Sequence, residues 1–165
     1  MKHKLEYFAF VSLIFLFRIL GLNGTRKSAD YLGCILYFLI PIRKKVVIEN
    51  LKSAFPRKSE KEIKKIALHN YQNILITFFE LMLLPYLSEK KVVGSVTLVN
   101  QESLMEKVNK NQSVILLTGH FGGWEYCFST MTLQIKKIFH MLAQAQSNPL
   151  VSDYVMKARN TFGNK

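Results

Sequence analysis

The sequence predicts an α/β protein in two parts: a helical, membrane-docking segment over residues 1–90, and over 91–165 the beginning of a largely parallel α/β domain. Three observations lead there. Apolar runs and positive charge coincide near the N-terminus, where residues 1–65 carry 14 Lys/Arg against 5 Asp/Glu, net +9 of the chain's net +12. After residue 90, short β-type runs alternate with helix-type stretches, the pattern of strands joined by crossover helices. One of those runs, Val114–Leu117, breaks at Thr118-Gly119 into a glycine-rich turn and then a helix start.

The elements follow in order. Lys2 and Lys4 precede the apolar stretch Tyr7–Phe17, interrupted only by Ser12 and bounded by Glu6 and Arg18. A clean run of about 18–20 apolar residues is needed to span a bilayer. The stretch therefore reads first as an uncleaved interfacial or membrane-embedded helix. A single span, lengthened by snorkelling of Arg18, is the second reading. A signal peptide is the third, without a small-x-small cleavage site to support it. Leu22–Ser28, preceded by Gly21, reads as a turn. A second apolar run, Tyr31–Ile42, contains Pro41 and meets Arg43-Lys44-Lys45, a cluster suited to anionic headgroups.

A helix over Val46–Ala54 stops at Phe55-Pro56. Ser59-Glu60-Lys61-Glu62 has the form of a capping box and opens a long helix. Ile63, Ile66, Tyr71, Ile74, Phe78 and Leu81 give that helix an apolar face, and Pro85 ends it. Lys58, Lys61, Lys64 and Lys65 at its start fit a solvated face as well as a membrane contact. Glu80 stands among Phe79, Leu81 and Met82; a buried carboxylate needs a partner, which the sequence does not name. Beyond residue 90, Val92–Val99 reads as a strand interrupted by Gly94 and Gln101–Asn109 as a helix. Ser113–Thr118 reads as a buried strand, Trp124–Gln134 as a helix, Lys137–Ala143 as a strand, and Pro149–Thr161 as a helix after the Asn148-Pro149 turn.

The chemistry concentrates after Val114–Leu117. His120 can take a proton from a hydroxyl near neutral pH. Glu125, five positions on, is close enough to orient the imidazole and stabilise its charged form. Gly119, Gly122 and Gly123 leave room for a substrate against the backbone. Of the four histidines only His120 has an acid at this spacing. A structural histidine on a turn is the competing reading. Cys34 and Cys127 form no CxxC pair and no metal spacing, so neither a disulfide framework nor a metal site is expected, and no cofactor motif is present. A basic chain can bind nucleic acid. Here the aromatic residues sit in apolar runs rather than among basic ones, and no recognition motif is visible, so no nucleic acid is expected as a partner.

The string Leu117-Thr118-Gly119-His120-Phe121-Gly122-Gly123-Trp124-Glu125 resembles the His-x4-acid block of the bacterial lipid A biosynthesis acyltransferases, within the wider glycerolipid acyltransferase superfamily. Arg43–Pro56 resembles that family's basic segment running into Asn-Leu-x-x-Ala-Phe-Pro. The helix with Asn73 and Glu80 is similar to the one that follows there, and Asn148-Pro149-Leu150, Arg159 and Gly163 resemble the next block. The chain departs from the family at Gly123, where Asn is usual, and at Gln144-Ala145, where Arg-Pro is common; acyl-chain or acceptor preference is what these changes put in question.

The resemblance implies acyl transfer, without a covalent acyl-enzyme, from acyl carrier protein to a hydroxyl of a lipid A precursor or comparable glycolipid. His120 would be the general base and Glu125 its orienter. The oxyanion donors would be the Gly122-Gly123 backbone or Arg159, and Arg159 could instead pair with a substrate phosphate. The place implied is the cytoplasmic face of the bacterial inner membrane, with the anionic membrane surface as a partner. Family members continue beyond the position of Lys165, so the expectation is of an N-terminal part, inactive alone because its sheet would present an open edge. The alternatives are an acyltransferase with another glycolipid or aminolipid acceptor, and a membrane-binding fragment without catalysis.

Overall fold

The computed structural model describes residues 1–163, and 70% of the chain is helical. The helices are α1 (Lys2–Phe38), α2 (Lys44–Ala54), α3 (Glu60–Leu83), α4 (Glu89–Val93), α5 (Glu102–Asn109), α6 (Trp124–Ile135) and α7 (Pro149–Arg159). Short 3₁₀ turns follow α3, at Leu84–Tyr86, and α7, at Asn160–Phe162.

No strand occurs among the described residues, which overturns the expected α/β fold and its parallel sheet. Val92 and Val93 close α4, and Gly94 caps it. Ser113–Thr118 and Lys137–Ala143 carry β-type side chains but form no ladder. The expected burial of the first run fails too, since Ile115 and Leu117 are 91% and 97% exposed. A strand is a property of a pair. Its N–H and C=O groups need a neighbouring backbone in register, and side-chain preference cannot supply one.

The chain divides into two compact units, one of Leu16–Glu80 and one joining Met1–Phe15 to the chain from Leu81 onward. In the first, α1 is continuous in place of the expected turn, except at Gly21, whose φ of 65° and ψ of −176° leave the helix. A side chain at that φ would be strained. The break frees carbonyls, and the fully buried Thr25 hydroxyl donates to Gly21 O (2.8 Å) and Phe17 O (3.3 Å). Further along α1, a Cβ on Gly33 would lie 2.6 Å from Gln72 Cα, so the absent side chain lets α1 and α3 meet backbone to backbone.

Tyr37 from α1 and Ala67 and Tyr71 from α3 form the core of this unit, with Val47, Ile48 and Leu51 of α2 packed on them. The Tyr71 hydroxyl donates to Ile42 O, and the Lys44 ammonium donates to Tyr37 O (3.0 Å) while lying 3.7 Å from the Tyr37 ring centroid. The predicted capping box forms at the start of α3. Glu62 Oε2 accepts from Ser59 N (2.8 Å) and from the Ser59 hydroxyl (2.7 Å), and Glu62 N donates to Ser59 Oγ at 3.4 Å. Of the predicted apolar face, Ile63 and Tyr71 are buried, whereas Ile74 and Phe78 point outward. Two of the lysines near its start pair with acids one turn away, Lys58 with Glu62 and Lys64 with Glu60. The partner that Glu80 required is Arg26, whose Nε lies 2.6 Å from Glu80 Oε1.

In the second unit, Leu81, Leu84, Val92, Tyr126, Val155 and Ala158 make one core. The Thr130 hydroxyl donates to Val92 O (3.2 Å), tying α6 to α4, and the Tyr154 hydroxyl donates to Met82 O (2.8 Å). Asn148 does more than open a helix. Its Oδ1 caps α7 by accepting from Leu150 N (3.0 Å). Its amide donates to His3 O (3.0 Å) and Glu6 Oε2 (2.9 Å). Chain ends 145 and 142 residues away in sequence are joined by this one side chain.

Candidate active site

The turn predicted to carry the chemistry is present. Gly122 adopts φ 48°, in the left-handed region, and Gly123 leads directly into α6. No side chain caps α6, so a carboxylate in its first turn is favoured by the helix dipole. Glu125 occupies that turn and is 6% exposed. A buried carboxylate must be paired, and the partner is Arg159, in the last turn of α7. Arg159 Nη2 lies 2.5 Å from Glu125 Oε1, and Nε donates to Oε1 and Oε2 at 3.1 Å each. The fork of the guanidinium fits both carboxylate oxygens, a geometry an ammonium cannot reproduce.

His120 is exposed and packs edge-on against the Trp124 ring, with centroids 4.7 Å apart and planes at 72°. Glu125 is bonded to Arg159 and no hydrogen bond joins it to His120 among the described residues. A carboxylate offers about four lone-pair sites, so the Arg159 contacts leave acceptor capacity on Glu125.

His120, Glu125 and Arg159 all line one cavity of about 1080 Å³. Its wall also includes Leu104 and Val108 of α5, Phe128 of α6, and the segments around Ser113–Thr118 and Lys137–Ala143, which have no regular secondary structure. Gly122 and Gly123 shape the turn into α6 but are not part of the wall. Sequence reasoning singled out three ionisable wall residues, His120, Glu125 and Arg159, and missed two others, Lys137 and His140. These belong to no motif, and their presence beside His120 follows only from how the chain after α6 returns. Lys136 ends that helix in the left-handed conformation, φ 57°. Among the described residues, no group of three or more His, Cys, Asp or Glu is placed to hold a metal ion, and both cysteines are free thiols.

Neither the curated proteins nor the solved structures include one that matches the chain. A family model described as bacterial lipid A biosynthesis acyltransferase matches residues 1–165, and the chain belongs to that family.

Proposed function

We propose that the cavity is the acyl-transfer site and that His120 is its general base. The observation that carries this is the placement of His120, Glu125 and Arg159 in a single wall, with the two charged residues locked together and the imidazole exposed. His120 takes the proton of an acceptor hydroxyl as that oxygen attacks the thioester carbonyl of the donor. Glu125 stabilises the imidazolium that forms. Arg159 holds the Glu125 carboxylate against α7, so the base is oriented by a fixed group. The thiol then leaves with a proton, and the product is an ester.

Family membership makes an acyl donor and a lipid acceptor the substrates. The donor proposed is acyl carrier protein, and the acceptor a lipid A precursor or similar glycolipid. The acidic carrier protein suits a chain of net charge +12. The proposed location is the cytoplasmic face of the inner membrane. Among the described residues α1 is long and apolar enough to cross a membrane by length and composition. Leu39, Ile40, Ile42 and Val46 are exposed beside the basic Arg43 and Lys45.

The test is acyl transfer by the detergent-solubilised protein, with labelled acyl carrier protein and glycolipid. His120→Ala is expected to lower turnover by about 10²–10⁴, the usual share of a general base, while leaving liposome binding intact. Unchanged turnover in that variant would end the proposal. The non-catalytic reading predicts the reverse: loss of function on neutralising Arg43, Lys44 and Lys45, and none on removing His120.

A further inference from the structure

The charge of the cavity wall is unbalanced. Among the described residues Glu125 is its only acid, and that charge is already taken by Arg159 at 2.5 Å. The wall still carries Lys137, His120 and His140. Lys137 and His140 make no hydrogen bond or ion pair among the described residues, and both are exposed. Both belong to the segment without regular secondary structure that follows α6 and lines the cavity. The same wall includes apolar side chains, Leu104, Val108 and Phe128, beside uncharged polar ones such as Asn111, Gln112 and Gln146. A ligand complementary to such a wall is an amphiphile: hydrocarbon at one end and an anionic group at the other.

Resting on the reading of the cavity as the substrate site, we propose that Lys137 and His140 form an anion subsite that receives a phosphate group of a substrate. Lys137 supplies a permanent ammonium, and His140 adds donors and, when protonated, a second charge. Neither residue takes part in the acyl-transfer step assigned to His120. The phosphate could come from a phosphorylated lipid acceptor or from the phosphopantetheine arm of the carrier-protein donor. Both present anionic phosphate oxygens, a monoester with up to two charges on the lipid and a singly charged diester on the carrier-protein arm.

The chain has one tryptophan, Trp124, and it lies in the wall. Its fluorescence therefore reports cavity binding independently of turnover. The protein in neutral detergent would be titrated with lysophosphatidic acid and with monoacylglycerol of the same chain length. The wild type and His120→Ala are expected to bind the phosphate-bearing probe about tenfold more tightly, the scale of one charge-assisted hydrogen bond. Lys137→Ala/His140→Ala is expected to bind both probes alike, and Lys137→Arg to retain the preference. Equal binding of the two probes by the wild type, or a preference surviving in the double variant, overturns the subsite. Failure of both probes to change Trp124 emission overturns the subsite together with the cavity reading beneath it. Two further ligands separate the sources: an acyl-phosphopantetheine thioester and a phosphorylated glucosamine lipid. Affinity for at least one of them must fall about tenfold in the double variant, and the one affected identifies the source; no fall for either overturns the proposal.

Discussion

Two carboxylates are buried among the described residues, and each is matched to an arginine distant in sequence. Glu80, in the unit of residues 16–80, accepts from Arg26 through one short contact, and the Arg26 side chain is 43% exposed. Glu125, in the other unit, is gripped through both oxygens by an arginine side chain only 15% exposed. The first pair ties α1 to α3 among packed helices. The second lies in the wall of a cavity beside an unbonded histidine. The same chemical solution to burial thus serves cohesion in one place and a fixed charge at a site in the other. The lesson is that pairing alone does not mark function; what the pair faces does.

The sharpest way to break this comparison is to remove each acid. Glu125→Ala removes the carboxylate that both Nε and Nη2 of the largely buried Arg159 side chain contact, and is expected to cost about 3–5 kcal/mol of stability. In our reading it also lowers turnover of the fraction that remains folded. Denaturant titration beside an acyl-transfer assay reads both. Glu80→Ala is expected to cost less, about 1–2 kcal/mol, because half-exposed Arg26 recovers water. Its turnover per folded molecule should not change. Equal turnover losses in the two variants would erase the distinction.

Gly33→Leu tests the packing of the Glu80 unit without touching charge. The side chain would meet the Gln72 backbone, with an expected cost of about 1–3 kcal/mol and again no loss of turnover per folded molecule. Ser59→Ala, at the start of α3, is expected to cost about 1 kcal/mol. It should also change the acid limb of stability. The Ser59 hydroxyl, then its backbone N–H, hold the Glu62 carboxyl below the usual carboxylate range. A carboxyl lowered on folding stabilises above its unfolded value, and that contribution fades as pH falls through the folded value. The variant should therefore lose less stability than the wild type as pH falls below the ordinary carboxylate value of 4.5, as urea midpoints on the acid side would show.

Five helices, α2, α3, α5, α6 and α7, were legible in the sequence to within a few residues, whereas α4 was hidden under the expected strand at Val92–Val99. The box at Ser59–Glu62, the stop at Phe55-Pro56 and the asparagine before Pro149 are local devices, satisfied by neighbours within a turn. The long run of α1 was not legible as one element, because a turn over Leu22–Ser28 and a break confined to Gly21 have similar composition. The strands failed for the opposite reason. Val114–Leu117 has the side chains of a strand, but pairing depends on a second backbone that a local run cannot specify.

At the site, the sequence by itself determined the spacing of His120 and Glu125, the glycine turn between them and the family to which those residues point. It also determined that a carboxylate at Glu80 would need a partner. Only the tertiary structure decided that Arg26 is that partner, that Arg159 closes on Glu125, and that Lys137 and His140 stand in the wall with His120. The physical reason is range. Caps, turns and helix periods are set by groups a few bonds apart, whereas ion pairs such as Arg26–Glu80, 54 residues apart, exist only when burial removes the water that would otherwise separate the charges.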